Sequence, residues 1–526
     1  MDTVHVTPLG GVGRFGRNCL LFEIPGGDAV VVDCGVRFVH TDEAPGFDAA
    51  LPDLARLAAL GDRLRAYLVT HGHEDHVGAL PFAFARAPAR LITLPFTADV
   101  IARRFSRASA RAPDIEVVES GREIAVGPFV ARFVDVSHAI PDSTALVLDT
   151  PAGRVVHSGD FRIDLSPLAG PPSDVDALSA LGPVRALFAD STGAVLAGAN
   201  AGEASVVGPL TEAIVDAASL VVVATYGSHL QRVKATALAA RATGRRLVVV
   251  GPSVRDTLAA ARRRGLVDFD DVLAPLSSLD DAGARARLVV VTPGCQGEPE
   301  STLARAARGK HPRLALSAGD RVVLSARVIP GNELRVAALT DALAARGVSV
   351  LMGDGGRHVS GHASHDELQE LLVRTQPALF VSLHGGHRQL AAHRAIARGL
   401  LDDERVVPLQ DDETLVLTKS AHETQTGAPL SVPFVQGRVV VDDPAPVVAS
   451  RQRLMAAGVI VARRAPPLVT ARGVATPLVA VLTDGARALI VEHASVDDEA
   501  LHALLVSFAR RTCRDHGTRA PEIVLV

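Results

Sequence analysis

The 526-residue sequence predicts an α/β protein, in which a sheet-rich sandwich flanked by helices holds an inserted α/β segment and precedes a small α/β tail. Three observations predict this arrangement. Short apolar β runs dominate residues 1–200, strands and helices alternate over 201–351, and motifs rich in His return over 352–425. A chain of this length is expected to form two or three domains, because single cores stop growing at about 250–300 residues.

The first 200 residues are predicted to form strands broken by Gly and Pro turns, with helices between them. The predicted strands are Val4–Thr7, Cys19–Glu23, Ala29–Asp33, Ala66–Thr70, Arg90–Leu94, Phe129–Asp135, Ala145–Asp149 and Arg154–His157. The predicted helices are Leu51–Leu60 and Ala98–Ala108. This pattern is typical of a sheet sandwich with helices on its outer faces.

Residues 201–351 show the alternation of a doubly wound α/β domain. The predicted strands are Leu220–Ala224, Arg246–Val250, Leu288–Val291, Arg321–Leu324 and Ser349–Met352, and the predicted helices are Val233–Thr243, Ser253–Arg264 and Asn332–Arg346. Because further His-rich motifs follow, we expect this domain to be inserted in the sandwich rather than appended to it. Residues 426–447 contain several prolines and are predicted to link the sandwich to a C-terminal domain at 448–526.

Composition limits the functional classes. The formal net charge of −4 excludes a polycation, so any contact with nucleic acid must use local basic patches. The cysteines form no C-x-x-C pair, which argues against a disulfide framework or a cysteine zinc site and suits a reducing cytosol; they are Cys19, Cys34, Cys295 and Cys513. No signal-peptide pattern is evident, and no apolar run reaches the roughly 18–20 residues that span a bilayer. We therefore expect a cytoplasmic protein without membrane contact.

The segment Thr70–His76 carries the strongest functional signal. It follows the apolar run Ala66–Val69 and places three imidazoles and two carboxylates within six residues. Neutral imidazole and carboxylate are ligands that suit zinc and neighbouring metals. A strand end followed by a turn that contains Gly can direct its ligand-type side chains into one pocket; they are His71, His73, Asp75 and His76. The H-x-H-x-D-H pattern therefore predicts a metal site.

Three more ligand-type residues follow predicted strands. They are His138, Asp160 and His384, and a carboxylate at Asp160 is able to bridge two metals. A residue of this kind alone is more often an ordinary turn or core residue than a metal ligand. In a chain that also carries H-x-H-x-D-H, their positions at strand ends favour a role as ligands.

Together, these motifs resemble ribonuclease J, a family in the β-CASP branch of the metallo-β-lactamase superfamily. The motifs occur in the family's order from residue 8 to about 390, whereas the chain after 430 resembles the family only loosely. The matching segments are Pro8–Gly13, Val32–Gly35, Thr70–Pro81, His138–Ser143, Gly159–Phe161, Asp190–Thr192, Ala224–Ser228, Gly294–Pro299, Pro330–Glu333, His358–His362 and His384–Gly385.

The resemblance implies an αββα metallo-β-lactamase domain at 1–200 and 352–425, a β-CASP domain at 201–351, and a site for two zinc ions, with manganese as the alternative. The implied ligands are His71, His73 and His138 for one ion, Asp75, His76 and His384 for the other, and Asp160 for both. Asp33 would orient the ligand loop. Two metals lower the pKa of a shared water to roughly 7, which makes hydroxide available for phosphodiester hydrolysis.

The resemblance also implies roles for residues beyond the ligands. His362 is the expected general acid, oriented by Asp190, and the ligand Asp75 counts with them as catalytic. The residues alone leave His362 open as a metal ligand or a structural histidine. The segment His358, Val359, Ser360, Gly361 and His362 offers backbone N–H groups, a hydroxyl and imidazoles that suit a phosphate.

In the family the segment His358–His362 binds the 5′-monophosphate of RNA, which implies 5′→3′ exonuclease action on single-stranded RNA with internal cleavage in addition. By the same resemblance Ser228 and His229, followed by Arg232, belong to the nucleic-acid surface of the β-CASP domain. Without the resemblance they would form an ordinary helix N-terminus capped by Ser. The family also implies a homodimer or homotetramer.

Several positions depart from the family pattern: Arg14, His229, Gln231, Gly386 and His387. They bear on the preference for RNA ends more than on metal binding, because the whole ligand set is present. Hydrolases of lactams or thioesters share H-x-H-x-D-H but do not need the insertion of about 150 residues. A DNA-directed β-CASP nuclease and a non-catalytic subunit of a ribonuclease assembly are the remaining alternatives.

Overall fold

The computed structural model describes residues 2–40, 43–329, 331–457, 459–463, 468–474, 476–516 and 519–525. Pro330, part of one of the sequence motifs, lies outside these residues. The chain forms two compact units. The first comprises Met1–Val36 and Pro52–Leu430, and the second comprises Arg37–Leu51 and Ser431–Val526. Among the described helices, none combines the length and the apolar composition that crossing a bilayer requires.

The segment that precedes the insertion is mostly strand, as the sequence predicts. Its strands β1–β14 are Val4–Gly10, Val12–Gly13, Cys19–Glu23, Ala29–Val32, Arg37–Phe38, Ala49–Ala50, Leu64–Leu68, Arg90–Thr93, Ile115–Val117, Glu123–Val126, Phe129–Asp135, Thr144–Thr150, Gly153–His157 and Ala186–Asp190. Its helices α1–α5 are Leu54–Leu60, Glu74–Val77, Leu80–Arg86, Pro95–Ala108 and Val175–Ser179.

The inserted segment alternates between strand and helix. Its strands β15–β20 are Val221–Thr225, Arg246–Val249, Leu273–Ala274, Leu288–Pro293, Arg321–Leu324 and Ser349–Leu351. Its helices α6–α10 are Val207–Val215, Leu230–Ala242, Pro252–Arg263, Thr302–Ala307 and Glu333–Ala344. The strands form one parallel sheet in the order β17-β16-β18-β15-β19-β20. A hydrophobic core covers each face, which is why the central strand Val221–Thr225 is wholly apolar or Thr and wholly buried.

After the insertion the chain returns to the sandwich. Strands β21–β25 are Phe380–Leu383, Gly385–Gly386, Val406–Val407, Glu413–Leu417 and His422–Thr426, and helices α11 and α12 are His365–Thr375 and His387–Arg398. The sheet β25-β24-β1-β3-β4-β7-β8-β9 and the sheet β10-β11-β12-β13-β14-β21-β23 each contain strands from both sides of the insertion. This arrangement confirms the predicted sandwich with an inserted α/β domain.

The sandwich core lies between these two sheets and includes Phe22 and Phe188, whose rings meet edge-on at 5.7 Å. A second cluster packs the outer face of the β10–β23 sheet against α5, α11 and α12. Predicted helix boundaries differ by one to three residues. α1 begins at Leu54 rather than Leu51, and α4 begins at Pro95 rather than Ala98, because Pro suits the first turn of a helix. Likewise, α7 begins at Leu230 with His229 as its N-cap, so Ser228 does not have the capping position that the residues alone predict.

The second unit contains the C-terminal residues. Its strands β26–β30 are Phe434–Gln436, Val439–Val441, Val459–Arg463, Leu468–Arg472 and Glu522–Leu525, and its helices α13–α15 are Ala445–Ala457, Thr476–Glu492 and Asp498–Asp515. β26 pairs with both β27 and β6. The segment 426–447, predicted as a linker, therefore contains two paired strands, since its apolar residues Phe434 and Val435 extend a sheet. The domain boundaries given by the sequence stay a prediction.

Candidate metal centre

The predicted ligands lie at one edge of the sandwich, where several strands end. The H-x-H-x-D-H loop follows β7, Asp160 follows β13, and His384 follows β21. β13, β14 and β21 are parallel neighbours, so the residues at their carboxyl ends come together. Asp190, the last residue of β14, lies between the other two strand ends.

Two groups of ligand-type residues meet at Asp160. In the first group, the candidate ligand atoms of His71, His73, His138 and Asp160 all lie within 4.8 Å of one another. In the second group, those of Asp75, His76, Asp160 and His384 satisfy the same limit. The structure thus brings all the ligands predicted from the sequence into two groups that share one carboxylate.

Individual distances within the groups are short. Asp160 Oδ2 lies 3.6 Å from His71 Nε2 and 3.8 Å from His138 Nε2, while Asp160 Oδ1 lies 3.3 Å from His76 Nε2. Asp75 Oδ2 lies 3.3 Å from His384 Nε2. Asp160 therefore faces the first group with one oxygen and the second group with the other, the arrangement of a bridging carboxylate.

The donor set fits divalent cations. His71 Nε2 is buried without a hydrogen-bond partner, which is costly unless another group takes its lone pair. Burial and the neighbouring His76 imidazole hold the pKa of His71 well below its usual value, so the ring is neutral. A neutral imidazole with a free lone pair is what a metal ion requires.

Asp33 supports the ligand loop from beneath. Its carboxylate accepts hydrogen bonds from Thr70 N and Thr70 Oγ1, each at 2.8 Å, and lies 2.7 Å from His76 Nδ1. Since His76 Nδ1 is engaged by Asp33, Nε2 is the ring nitrogen left to bind a metal ion, and it faces Asp160. Asp33 has φ +59° and His384 has φ +48°, a strained conformation that is often found at functional sites.

A third group joins His362 and Asp190 to Asp160 and His384. His362 Nδ1 lies 2.8 Å from Asp190 Oδ2. Burial alone would lower the pKa of His362, but the Asp190 carboxylate outweighs burial and raises it. The pair suits proton donation, and the same geometry leaves His362 open as a metal ligand.

The segment His358–His362 is half-buried beside the metal ligands. Gly361 O accepts a hydrogen bond from His138 Nδ1 at 2.6 Å, and Ser360 O accepts one from Arg162 Nη1 at 3.1 Å. A Cβ at Gly361 would lie 3.1 Å from the His138 ring, tighter than an ordinary van der Waals contact, so glycine suits this close approach. The backbone of the segment is therefore hydrogen-bonded directly to one of the candidate metal ligands, His138.

Comparison with known proteins assigns the family. The metallo-beta-lactamase superfamily model matches residues 12–199, and the model described as ribonuclease J, beta-CASP domain, matches residues 218–343. Ribonuclease J of Sinorhizobium meliloti is 36% identical over 86% of this chain and 81% of the relative. The chain belongs to the ribonuclease J family. Ribonuclease J of Mycobacterium tuberculosis is 34% identical over 91% of this chain and 85% of the relative. Ribonuclease J of Synechocystis is 32% identical over 87% of this chain and 72% of the relative.

A solved structure supports the fold alone. A crystal structure of a protein of unknown function from Enterococcus faecalis matches with a TM-score of 0.53 at 12% identity, covering 80% of this chain and all of that chain. Family membership confirms the metallo-β-lactamase and β-CASP architecture. It also makes this ribonuclease J family member a metal-dependent nuclease with a His/Asp metal site.

Two positions that depart from the family pattern have their side chains outside the metal groups. His229, expected at a nucleic-acid surface, is 2% exposed and lies 3.5 Å from Glu203 Oε1, so its side chain is not open to a surface ligand; Ser228, just before it, is half-buried. His387 is exposed and packs against Gly13, where an added Cβ would lie 2.7 Å from its ring.

Sequence reasoning missed several residues that support the site. The Asn18 amide donates to Asp75 Oδ2 at 3.3 Å and lies 3.0 Å from His76 Nε2. Gln231, named from the sequence only as a departure, donates to His138 O at 2.6 Å. Arg162 and Glu203 also lie close by, buried. Of these two, only Arg162 has a sequence position that indicates a place near the site, because it follows Asp160 by two residues.

Proposed function

We propose that this protein hydrolyses RNA, removing nucleotides in the 5′→3′ direction from ends that carry a 5′-monophosphate and cutting internally in addition. The observation that carries the proposal is the single carboxylate of Asp160 shared by two ligand groups, beside the segment His358–His362. Two metal sites next to a phosphate-binding segment are the parts that end-dependent hydrolysis requires.

The metal groups would hold two divalent cations, zinc in the first instance and manganese as the alternative. The first cation would be held by His71, His73 and His138, the second by Asp75, His76 and His384, and Asp160 would contact both. When bound, such cations supply water activated near neutral pH and neutralise charge on the phosphodiester.

His362 would supply the proton for the leaving 3′-oxygen. Its Nδ1 is engaged by Asp190 at 2.8 Å, so the proton that it transfers comes from Nε2. Asp190 keeps the ring oriented and favours its protonated form. The neighbouring His138 ring, 4.8 Å away between centroids, brings this acid close to the first metal group.

The segment His358–His362 would bind the terminal 5′-phosphate. It offers the imidazole of His358, the hydroxyl of Ser360 and backbone N–H groups of Val359 and Gly361. Because Gly361 O is bonded to the ligand His138, a phosphate held here fixes the position of the next phosphodiester relative to the metals. This link between the two sites supports exonuclease action from the 5′ end.

Three further features are proposed from the resemblance to the family. They are single-stranded RNA as the substrate, a homodimer or homotetramer as the assembly, and a cytoplasmic location. A DNA substrate and a non-catalytic role have no specific support in the geometry. A subunit without activity would be expected to have lost ligands, whereas the predicted ligands converge.

Decay of uniformly labelled RNA tests the proposal. Substrates with a 5′-monophosphate or a 5′-triphosphate are compared with and without a chelator, using His73→Ala as the inactive variant and the exposed His422→Ala as its matched control. We expect chelator-sensitive release of mononucleotides from the monophosphorylated RNA, lost in His73→Ala alone. Internal cleavage that is the same for both 5′ ends would agree with the proposed metal site but would overturn the preference for a 5′-monophosphate. Absence of cleavage would overturn the proposed activity.

A further inference from the structure

Three buried charged side chains connect different parts of the first unit. Arg162 lies in the loop after Asp160, Glu203 precedes α6 and Arg232 belongs to the first turn of α7; they are 1%, 1% and 0% exposed. Arg232 Nε lies 2.6 Å from Glu203 Oε1, and Arg162 Nη1 lies 3.6 Å from Glu203 Oε2. The closest partner of Arg162 is the buried Asp164, whose Oδ2 accepts a hydrogen bond from Arg162 Nη2 at 2.5 Å. Burying charged groups often costs more free energy than their pairing recovers, so we expect this triad to have a role other than stabilising the fold.

Glu203 is ionised in this environment. Burial would raise the pKa of Glu203, but the Arg232 and His229 side chains outweigh burial and hold it well below its usual range. One carboxylate thus lies between two guanidinium groups, one from the metallo-β-lactamase domain and one from the β-CASP domain.

Arg232 reaches the beginning of the segment His358–His362. Its Nη1 donates to Ser325 O and Ser325 Oγ at 2.7 Å, and it also lies 3.4 Å from Arg357 O and 3.3 Å from His358 Nδ1. Ser325 Oγ in turn donates to Arg357 O at 2.5 Å. Arg232 and Ser325 therefore hold the residue that leads into the segment.

Arg162 reaches the middle of the same segment and the metal centre. Its Nη1 donates to Ser360 O at 3.1 Å, and its backbone N donates to Ser137 O at 2.8 Å, next to the ligand His138. The segment is thus held at its start by the β-CASP domain and in its middle by the metallo-β-lactamase domain, with Glu203 between the two arginines.

The contact with Arg232 also favours one form of His358. A guanidinium group only donates hydrogen bonds, so the contact is favourable when His358 Nδ1 accepts and the proton of the ring is on Nε2. Burial and the Arg232 charge lower the pKa of His358 to about 2. In the favoured form His358 offers a neutral N–H donor on its Nε2.

We propose that Arg232 and Arg162, joined by Glu203, are positioning residues that hold the segment His358–His362 at a fixed place relative to the metal ligands, and thereby set the preference for a 5′-phosphate over an internal start. This inference rests on the proposed function of that segment. Neither arginine needs to touch the substrate.

The test compares 5′-monophosphate and 5′-hydroxyl versions of one RNA. Arg232→Met removes the guanidinium group, and Ser325→Ala removes one hydroxyl and perturbs the fold less. Arg285→Met is the matched control, because Arg285 pairs with the buried Asp320 elsewhere in the β-CASP domain. For each variant, kcat and KM on both RNAs, bound metal and Tm are measured.

We expect the ratio of kcat/KM between monophosphate and hydroxyl RNA to fall by about tenfold or more in Arg232→Met, mainly through KM, and by a smaller factor in Ser325→Ala. Bound metal should stay at the wild-type level. Arg285→Met should lower Tm and leave the ratio unchanged, which separates positioning from stability.

An unchanged ratio in both Arg232→Met and Ser325→Ala would overturn the proposal while the proposed function stands. If Arg232→Met does not fold, the ratio in Ser325→Ala decides. A wild-type protein that does not discriminate between the two RNAs would overturn the end preference itself, and the positioning role with it.

Discussion

His362 Nδ1 and Asp190 Oδ2 lie 2.8 Å apart, at a point where the His362 ring also faces the rings of two candidate metal ligands. The ring centroids of His362 and His138 are 4.8 Å apart, and those of His362 and His384 are 5.8 Å apart. An imidazole that shares a hydrogen bond with a carboxylate beside a metal centre is well placed to donate a proton.

Removing this acid should slow cleavage without removing metal. We expect His362→Ala and Asp190→Asn each to lower kcat by a factor of about 10²–10⁴, the usual contribution of a positioned proton donor. Single-turnover cleavage of RNA and metal analysis check this. If His362→Ala loses one bound metal ion, His362 is a ligand, as the third group of residues allows.

Asp33→Asn should weaken metal binding. The substitution removes the carboxylate that fixes His76 and Thr70, and Asn tolerates the local φ of +59°. We expect metal affinity to fall by about 10–100-fold, as for other residues that orient ligands. Competition with a metal indicator measures the change, and Asp62→Asn at an exposed position is the control. Equal affinities in wild type and Asp33→Asn would exclude this role.

Gly35→Ala should disturb the ligand loop directly. A Cβ at Gly35 would lie 1.5 Å from Asp75 O and 2.5 Å from His76 N, so the loop would have to move. We expect lower metal content and lower Tm. Gly208→Ala in α6, where a Cβ meets nothing within 4 Å, should leave both unchanged or raise Tm, because Ala is favoured over Gly in helices by about 0.5–1 kcal/mol.

The buried His393 should make stability depend on pH. Its Nδ1 lies 3.0 Å from Ser191 Oγ, and burial lowers its pKa to about 3. Since the unfolded chain binds a proton near its ordinary pKa of about 6.5, the stability contributed by neutral His393 is present above that pH and is lost as pH falls towards 3.

We therefore expect the unfolding free energy to fall by up to about 1.4 kcal/mol per pH unit through this group between pH 6 and 4. Denaturant unfolding at several pH values measures the slope. The slope should be smaller in His393→Asn, which keeps a partner for Ser191 and has no titrating ring. Parallel slopes for wild type and variant would contradict the assignment.

The clustering of the ligand-type residues was predictable from the sequence because the information for it is local. His71, Asp160 and His384 each follow an apolar strand, and parallel strands bring their carboxyl ends together. Strand periodicity and the H-x-H-x-D-H spacing were sufficient to identify the residues that now lie within 4.8 Å. The roles assigned to them stay predictions.

The support of the phosphate segment was not predictable, because it depends on distant contacts. Arg232 and Arg357 are 125 positions apart, and nothing in the sequence around Glu203 marks it as buried. The first turn of α7 has the composition of an exposed helix start, yet His229, Gln231 and Arg232 are all buried, since tertiary packing overrides local polarity. The strands within 426–447 were missed for a similar reason, because β26 pairs with β6 far away in sequence.

The most direct test of the two-group centre is a metal titration of the metal-free protein, with RNA cleavage followed at each point. The sharing of Asp160 between both groups predicts that activity rises until two equivalents of zinc or manganese are bound per chain, and that Asp160→Ala neither binds two nor cleaves. Full activity at one equivalent, or cleavage that does not depend on added metal, would contradict the account.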